Sequence, residues 1–420
     1  MIEAARSWAL LRGLRRGAHG PAAELERSRA RLLRASVQNA WERVPFYRSR
    51  WGERPEISSL GDLARLPVIG PGEAREAAER GDLLDREADA GSCPTFETSA
   101  SSGAPLAVPR GPVEQRLWRV GALRIWFEHG YRWSDVTAHV DPQAGPPHPL
   151  QRLGISRSAW ITSTDPGRQL EELRELGADV VAVTPSVLRR IAERADDDGS
   201  GSPRARIVFC QGEVLDDATR GAIARGFGAD PVDLYGATEV GYLGWQCELR
   251  GDLHLNAELV VVEILGENGP ADPGELGRVV VTDLRGRIAP RIRWDTGDLA
   301  RVPTGPCGCG RTLPTIGRVE GRAREAVSAR GARILTQRGI ADALSDLAAP
   351  HLYRLEPLGE GQGERVRLHL DPLAGGRGEP LRRRLSELRG GLEVELVVEP
   401  IADSGLKTPL AWRRRSAVAA

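Results

Sequence analysis

Apolar segments of strand length alternate with segments of helix length between residues 170 and 236. In chain order they read ELRELG, VVAVT, SVLRRIAER, ARIVFC, ATRGAIARGF and PVDLYG. Strands that alternate with helices at this spacing are typical of a parallel sheet with helical connections. The pattern therefore predicts an α/β fold for this part of the chain.

The segments on either side have different patterns. Apolar residues recur at helical intervals in 25–44, where Pro45 ends the pattern, and again in 117–127. From 252 to 301 the segments LHLNAELVVVEIL, GELGRVVVTDL and APRIRW read as strands of an antiparallel or mixed sheet. In the tail, YRLEPL, RVRLHLD and LEVELVVEPI read as strands and PLRRRLSELRG as a helix.

The length of the chain, 420 residues, favours two domains. A Gly- and Arg-rich stretch at 321–325 separates the strand-rich region from the tail, which is long enough for a small domain with its own core. We predict an α/β protein. Residues 1–322 form a large N-terminal domain with mixed or parallel sheets and helices, and residues 323–420 form a small mobile α+β C-terminal domain.

Composition excludes several classes of protein. The 58 basic residues balance 58 acidic ones, so the chain lacks the basic surplus of a nucleic-acid-binding protein. No stretch approaches the ~18 apolar residues of a membrane span, and the N-terminus lacks the apolar core of a secretory signal. Five cysteines do not make a disulfide framework. We expect a cytoplasmic protein with no nucleic-acid or membrane partner.

Lys407 is the single lysine among the 58 basic residues. A coding bias towards arginine explains the composition, and a lone lysine is then an accident. The alternative is that this position requires a compact ammonium on a flexible stem, which arginine does not provide.

The segment TSASSGAPL, residues 98–106, combines four hydroxyl residues with a glycine. Hydroxyls and backbone N–H groups in such a loop can bind phosphate oxygens, but Ser/Gly stretches are also common as flexible linkers. The loop lacks the G-x-x-x-x-G-K-[ST] pattern of a Walker A motif.

The chain contains five short motifs, and their order and spacing together are more specific for a protein family than any one motif alone. They are QGE at 211–213, DLYGATE at 233–239, RWDTGDL at 293–299, GRARE at 321–325 and GLKTP at 405–409. Over nearly its whole length the chain resembles the adenylate-forming superfamily of acyl-CoA synthetases. The early VPFYR at 44–48 and the cysteine pair before GRVEGR are similar to the phenylacetate–CoA ligase-like branch.

The resemblance implies that the loop binds the outgoing phosphates of ATP. The residues that take this role are Thr98, Ser99, Ser101, Ser102 and Gly103. Two positions depart from the family pattern: Ala100 stands where a glycine is usual, and Ala104 where a lysine is usual. The missing cation is expected to weaken phosphate neutralisation, while the backbone donors remain.

The resemblance also gives roles to the YGATE motif. Tyr235 and Gly236 flank the adenine, Thr238 donates to the α-phosphate, and Glu239 binds Mg²⁺. A carboxylate is a suitable hard ligand for magnesium shared with phosphates. Taken alone, Glu239 equally fits a solvated surface acid.

The remaining motifs complete the nucleotide site by the same resemblance. Gly212 and Glu213 line the adenine, Asp298 accepts from both ribose hydroxyls, and Arg322 lies at the domain junction. The hinge position, usually an aspartate, is Arg324 here. How the small domain rotates between half-reactions is therefore an open question at this point.

Lys407 stands where the family has its catalytic lysine, so the motif and the single-lysine argument agree. An ammonium there can approach the carboxylate and the α-phosphate as charge builds up in the transition state.

Cys307 and Cys309 form a tight C-x-C pair, and Cys247 and His254 stand upstream in CELRGDLH. Three thiolates and an imidazole are a ligand set typical of tetrahedral structural zinc. The alternative is buried free cysteines with a surface histidine. Comparable clusters in some relatives of the branch favour the metal.

The sequence says little about the acid. Trp126 and Phe127 lie in the helix that the family places near its acid, and Ala237 and Trp245 flank the YGATE turn. Core packing explains most of these residues equally well. We expect ATP-dependent activation of an aryl or other apolar carboxylic acid to an acyl-adenylate, then transfer to coenzyme A. An amine or a carrier-protein thiol is the alternative acceptor. A nucleotide-binding pseudo-enzyme is the remote alternative, which retention of Glu239 and Lys407 disfavours.

Overall fold

The structure is a computed structural model. It describes residues 2–88, 91, 93–97, 106–142, 157–197, 199, 201, 203–328, 334–358, 365–388 and 392–401. Two compact units are present, each built from two stretches of chain: Met1–Gly130 with Leu234–Arg318, and Tyr131–Asp233 with Val319–Ala420. The division at residues 322 and 323 stays a prediction.

The helices within the described ranges are α1 (Ile2–Gly17), α2 (Ala22–Arg43), α3 (Pro45–Trp51), α4 (Pro71–Glu79), α5 (Pro112–Glu128), α6 (Pro166–Leu176), α7 (Pro185–Asp197), α8 (Asp217–Phe227), α9 (Gln337–Leu344) and α10 (Gly378–Leu388). The strands of the same ranges are β1 (Thr95–Glu97), β2 (Ala107–Pro109), β3 (Val136–Val140), β4 (Arg157–Ile161), β5 (Val180–Val183), β6 (Ile207–Gln211), β7 (Val232–Ala237), β8 (Gly241–Gln246), β9 (Leu253–Leu255), β10 (Val260–Leu265), β11 (Leu276–Asp283), β12 (Trp294–Arg301), β13 (Thr315–Ile316), β14 (Val319–Arg322), β15 (Val327–Ser328), β16 (Ile334–Leu335), β17 (Tyr353–Leu358), β18 (Arg365–Leu370) and β19 (Glu393–Val398).

The first unit carries the antiparallel pairings that the sequence predicts. β10, β11 and β12 form an antiparallel meander, and β7, β8, β9 and β13 pair antiparallel in that order. The expectation that APRIRW is a strand is wrong except at its last residue, because β12 begins at Trp294. Pro290 lacks a donor N–H, and Arg293 has a φ of 48°, which interrupts extended backbone.

The N-terminal helices lie in the same unit. The helical pattern predicted for residues 25–44 is confirmed by α2, but Pro45 does more than end it. It is the first residue of α3, where its missing N–H is not needed and its fixed φ suits a helix start. No helix among the described residues is both long enough and apolar enough to cross a membrane.

The second unit contains the predicted parallel α/β arrangement. β4, β3, β5 and β6 pair in parallel, and α6, α7 and α8 connect or follow them. Asp165 and Asp216 cap α6 and α8 by accepting from backbone N–H groups three residues on. The sheet packs on these helices through a buried cluster that includes Val181, Leu188 and Phe227.

The tail has a hydrophobic core of its own. β17 pairs antiparallel with β18, β18 pairs in parallel with β19, and α10 connects the last two. Leu344, Leu368 and Leu381 belong to the core that α9, α10 and this sheet enclose. The segments predicted for the tail are confirmed as strands and helix.

Candidate functional site

β7 ends in the YGATE segment and returns as β8 through a tight turn. A register irregularity falls between Tyr235 and Gly236, and a Cβ at Gly236 would lie 3.0 Å from the carbonyl oxygen of Gly241. A larger residue at 236 would therefore push the two strands apart. The turn that follows contains Thr238 and Glu239, both half-buried.

Tyr235 connects this turn to the TGD motif on β12. Its hydroxyl donates a 2.8 Å hydrogen bond to Oδ2 of Asp298 and lies 3.3 Å from Oγ1 of Thr296. Tyr235 is 7% exposed and Asp298 is 8% exposed. The carboxylate predicted to bind ribose is thus held by the aromatic residue predicted to flank adenine.

A cavity opens beside Glu239. Its lining combines charged side chains with apolar ones, among them Arg110, Asp283, Leu117, Trp118 and Leu259. Burial raises the pKa of Asp283 to about 6. Two backbone N–H groups donate to its Oδ1 and lower that pKa, but their effect is smaller than that of burial. The lining of the cavity therefore offers both apolar and polar contacts.

Two buried arginines attract the carboxylate of Glu239. Arg110 and Arg291 both interact with it electrostatically, and burial lowers the pKa of each guanidinium, that of Arg110 to about 10. Arg110 was missed by the sequence reasoning. The signal that could have found it is a single arginine in the otherwise apolar segment PLAVPRGPV.

The predicted residues Gly212, Glu213 and Arg322 lie in the second unit. Gly212 follows β6 with a φ of 83°, a backbone conformation that favours glycine. The Glu213 carboxylate accepts from the backbone N–H of Ser186 at 3.0 Å, in the first turn of α7. An acid there is also favoured by the helix dipole, so Glu213 has a structural role besides the predicted one.

Arg322 ends β14, directly after Gly321. Gly321 has a φ of 121°, and a Cβ there would lie 2.5 Å from Cβ of Gln337. Only glycine therefore lets this strand approach α9 so closely. The predicted phosphate-loop residues Thr98, Ser99, Ser101, Ser102 and Gly103, with Ala100 and Ala104, lie outside the described residues, as does Lys407.

The four predicted zinc ligands come together in the first unit. The ligand atoms of Cys247, His254, Cys307 and Cys309 all lie within 4.8 Å of one another. Sγ of Cys247 is 3.6 Å from Sγ of Cys307, and Sγ of Cys309 is 3.2 Å from Nε2 of His254. Tetrahedral Zn–S bonds of ~2.3 Å place two sulfurs about 3.8 Å apart, so the spacing fits one zinc ion.

Strand pairing explains this convergence. His254 lies on β9 opposite Trp245 of β8 and opposite Thr315 of β13, and Cys247 directly follows β8. Burial lowers the pKa of His254 to about 4, which keeps the imidazole neutral as a metal ligand requires. Burial raises the pKa of Cys247 to about 12, so a cation is needed to favour its thiolate.

Arg311 supports the cluster from outside. Its guanidinium donates to Glu128 Oε2 at 3.0 Å and to Glu248 Oε2 at 2.8 Å. Arg311 also interacts with the Cys309 thiol. Burial raises the pKa of this thiol, but its hydrogen bonds with Arg311 lower it, and the pKa lies below its usual value. Arg311 therefore favours the thiolate form of Cys309.

Two of the aromatic residues considered for the acid, Phe127 and Trp245, lie in the core. Phe127 packs against Leu11 and Leu14, and Trp245 is fully buried with its ring 6.3 Å from that of His254. Neither lines the cavity beside Glu239. That cavity takes its aromatic surface from Trp118 and Tyr242.

Known proteins of similar sequence are ligases. The chain is 24% identical to the phenylacetate–coenzyme A ligase of Pseudomonas putida over 362 residues, which cover 80% of each chain. It is 24% identical to the phenylacetate–coenzyme A ligase of Thermus thermophilus over 333 residues, covering 75% of this chain and 74% of that one. No protein-family profile matches the chain.

The fold has solved counterparts. A crystal structure of 2-hydroxyisobutyryl-CoA ligase in the postadenylation state, in complex with 2-HIB-AMP, matches with a TM-score of 0.78 and 22% identity. The match covers 95% of this chain and 92% of that one. The same ligase in complex with 2-HIB-AMP and CoA, in the thioesterification state, matches with a TM-score of 0.65 and 21% identity over 95% and 92%.

These findings confirm the mixed α/β fold. The names of the sequence relatives agree with the class predicted from the motifs, an AMP-forming acid–thiol ligase. The resemblance to the phenylacetate–CoA ligase-like branch of the adenylate-forming superfamily is likewise confirmed.

Proposed function

We propose that this protein joins a carboxylic acid to the α-phosphate of ATP, with release of pyrophosphate, and then passes the acyl group to coenzyme A. The observation that carries the proposal is the hydrogen bond from Tyr235 to Asp298. It joins two motifs, 63 residues apart, whose implied roles are the two halves of an adenosine site. The turn that contains Thr238 and Glu239 follows directly.

Each residue of this turn has a proposed task. Thr238 donates to the α-phosphate, and Glu239 holds Mg²⁺ together with phosphate oxygens. One half-buried carboxylate beside a cavity fits an ion that is usually bound by one or two carboxylates, substrate phosphates and water. Magnesium would supply charge neutralisation to the phosphates. Gly212, Glu213 and Arg322 complete the proposed nucleotide site, with the phosphate loop at 98–103.

The acid is proposed to have an apolar or aryl body. Support comes from the apolar side of the cavity beside Glu239, where Leu117, Trp118 and Leu259 lie. Lys407, in a proposed C-terminal domain of residues 323–420, would contact the carboxylate and the α-phosphate during adenylation. A lysine suits that task because its compact ammonium on a flexible stem can reach both groups.

Coenzyme A is the proposed acceptor, because the sequence relatives are coenzyme A ligases and a ligase of the same fold is known in complex with CoA. The alternatives are an amine and a carrier-protein thiol.

The test is ATP–pyrophosphate exchange across a panel of aryl, fatty and amino acids. We expect at least one acid to support exchange well above the acid-free rate. Addition of CoA, amines or carrier protein to that reaction then identifies the acceptor. Absence of exchange with every acid would contradict the proposal and favour a nucleotide-binding pseudo-enzyme.

We also propose that Cys247, His254, Cys307 and Cys309 bind one structural zinc ion. Four protein ligands leave no open coordination position for a substrate, as in structural rather than catalytic sites. The ion would tie the loop after β12 to the β8–β9 hairpin.

A further inference from the structure

Arg110 is buried against two aromatic rings at the end of β2. Its guanidinium carbon lies 3.5 Å from the ring centre of Trp118 and 4.1 Å from that of Phe96, and the residue is 4% exposed. The two rings are nearly perpendicular to each other, at 89°. Cation–π contacts with them offset part of the cost of removing this charge from water.

The hydrogen bonds of this guanidinium are incomplete. Nη2 donates to the carbonyl oxygen of Thr238, whereas Nη1 is buried and has no acceptor among the described residues. A buried unpaired donor costs about 1–3 kcal/mol, and more when the group is charged. The position is therefore unfavourable unless a ligand supplies the acceptor.

Two other buried arginines of the same unit are paired with acids. Arg124 donates to the Glu258 carboxylate at 2.7 Å, and Arg293 makes a bidentate contact with Glu263 at 2.9 and 3.1 Å. Among the described residues neither Arg110 nor Arg291 forms such a pair, and Arg291 donates instead to the carbonyl oxygen of Ala289. Of these two, Arg110 is the one that lines the cavity beside Glu239.

The place of Arg110 connects it to the reaction. It lines the cavity that Glu239 also lines, and it holds the carbonyl oxygen of Thr238, the residue directly before Glu239. We propose that Arg110 binds an anionic oxygen of a reactant in this cavity, either the carboxylate of the acid or a phosphate of the nucleotide. This inference rests on the proposed function and adds a specificity-determining residue to it.

Charge-assisted hydrogen bonds explain why arginine suits this task. A guanidinium can donate from one nitrogen to the carbonyl oxygen of Thr238 and from another to a carboxylate or phosphate, a fixed pair of donors that a lysine cannot reproduce. Nη1 is the donor left for such a bond, while Nη2 remains on Thr238. The anion would thus be held next to the proposed metal ligand.

The test measures ligand binding without turnover, so its result does not depend on the activity measured by pyrophosphate exchange. We would compare ligand pairs that differ only in the anionic group, AMP against adenosine and phenylacetate against phenylacetamide, by titration calorimetry. In the wild type we expect a preference for the anionic member of at least one pair. In Arg110→Met that preference should fall about 10- to 100-fold.

Two further variants separate binding from folding. Arg65→Met, at an exposed arginine of the same unit, is the matched control and should keep the preference. Arg110→Lys keeps the charge but not the paired donors, so it should fold and still lose several-fold of the same preference. Loss with the AMP pair identifies the phosphate as the ligand, and loss with the phenylacetate pair identifies the carboxylate.

The inference would be overturned if the wild type prefers neither AMP over adenosine nor phenylacetate over phenylacetamide. It would also be overturned if a folded Arg110→Met or Arg110→Lys variant keeps the wild-type preferences in full. Failure of the proposed function looks different. In that case no acid supports pyrophosphate exchange in the wild type, whatever the calorimetry gives.

Discussion

The hydroxyl of Tyr235 donates to Oδ2 of Asp298 across 63 residues of chain, at 2.8 Å and away from bulk water. The bond orients a carboxylate before any ligand arrives. A preoriented acceptor binds a ribose hydroxyl at a smaller entropic cost than a free one. The adenine-flanking and ribose-binding motifs therefore act as one structural unit.

Tyr235→Phe tests this relationship. Loss of one hydrogen bond to a charged group should raise KM for ATP about tenfold, with a smaller effect on kcat. Pyrophosphate exchange at varied ATP measures it. Tyr353→Phe is the matched control, because that buried hydroxyl has no hydrogen-bond partner among the residues that the structure describes. Its removal should change neither parameter. An unchanged KM for ATP in Tyr235→Phe would count against the adenosine assignment.

Glu239→Gln tests the magnesium ligand. The change keeps the size of the side chain and removes its charge, so adenylation should fall while the melting temperature stays near the wild-type value. A partial recovery at high magnesium would show that metal affinity is what the variant lost. Near-normal turnover at ordinary magnesium concentrations would rule Glu239 out as the ligand.

The zinc site predicts a metal content of one zinc per chain, measured by elemental analysis of the purified protein. Cys309→Ser should lose the metal and lower the melting temperature, because metal binding contributes to folding free energy. Cys93→Ser is the control, since Cys93 is not part of the cluster and its replacement should keep the zinc. A structural metal would be excluded if the wild type contains no zinc and Cys309→Ser has the same melting temperature as the wild type.

The raised pKa of Asp283 leads us to expect that the free energy of unfolding depends on pH. Its folded-state pKa of about 6 exceeds the ordinary value of 3.8, so its contribution to stability is full below pH 4 and is lost as the pH rises through 6. Asp283→Asn keeps an oxygen for both backbone donors and does not titrate. Its free energy of unfolding should equal that of wild type near pH 4 and exceed it by up to about 3 kcal/mol above pH 6. Urea denaturation at several pH values measures the difference, and a constant difference would contradict the prediction.

Lys407 is tested through both half-reactions. Lys407→Ala should slow adenylation by about 10²–10³-fold, and Lys407→Arg should not restore it, because a planar guanidinium cannot replace a compact ammonium. Acyl transfer from supplied acyl-adenylate should be less affected. If Lys407→Arg adenylates as fast as wild type, the lone lysine is an accident of composition.

Local patterns were sufficient for much of the architecture. The alternation from 170 to 236, the meander up to Asp283 and the strands and helix of the tail were predicted, because side-chain period and strand length are properties of short segments. The error at APRIRW and the unpredicted helix start at Pro45 were also local. Proline starts helices as well as ending them, and the positive φ of Arg293 leaves no trace in hydrophobicity.

The sequence by itself determined the class of enzyme, because motif order is linear information, and it named the four members of the cysteine–histidine cluster. Only tertiary structure decided that those four ligand atoms lie within 4.8 Å of one another, since β9 must first pair with both β8 and β13. It also decided that Arg110 packs against Phe96 and Trp118 and that one of its donors has no acceptor in the described part of the chain. Burial and hydrogen-bond satisfaction depend on contacts between residues distant in the chain, which no local pattern encodes.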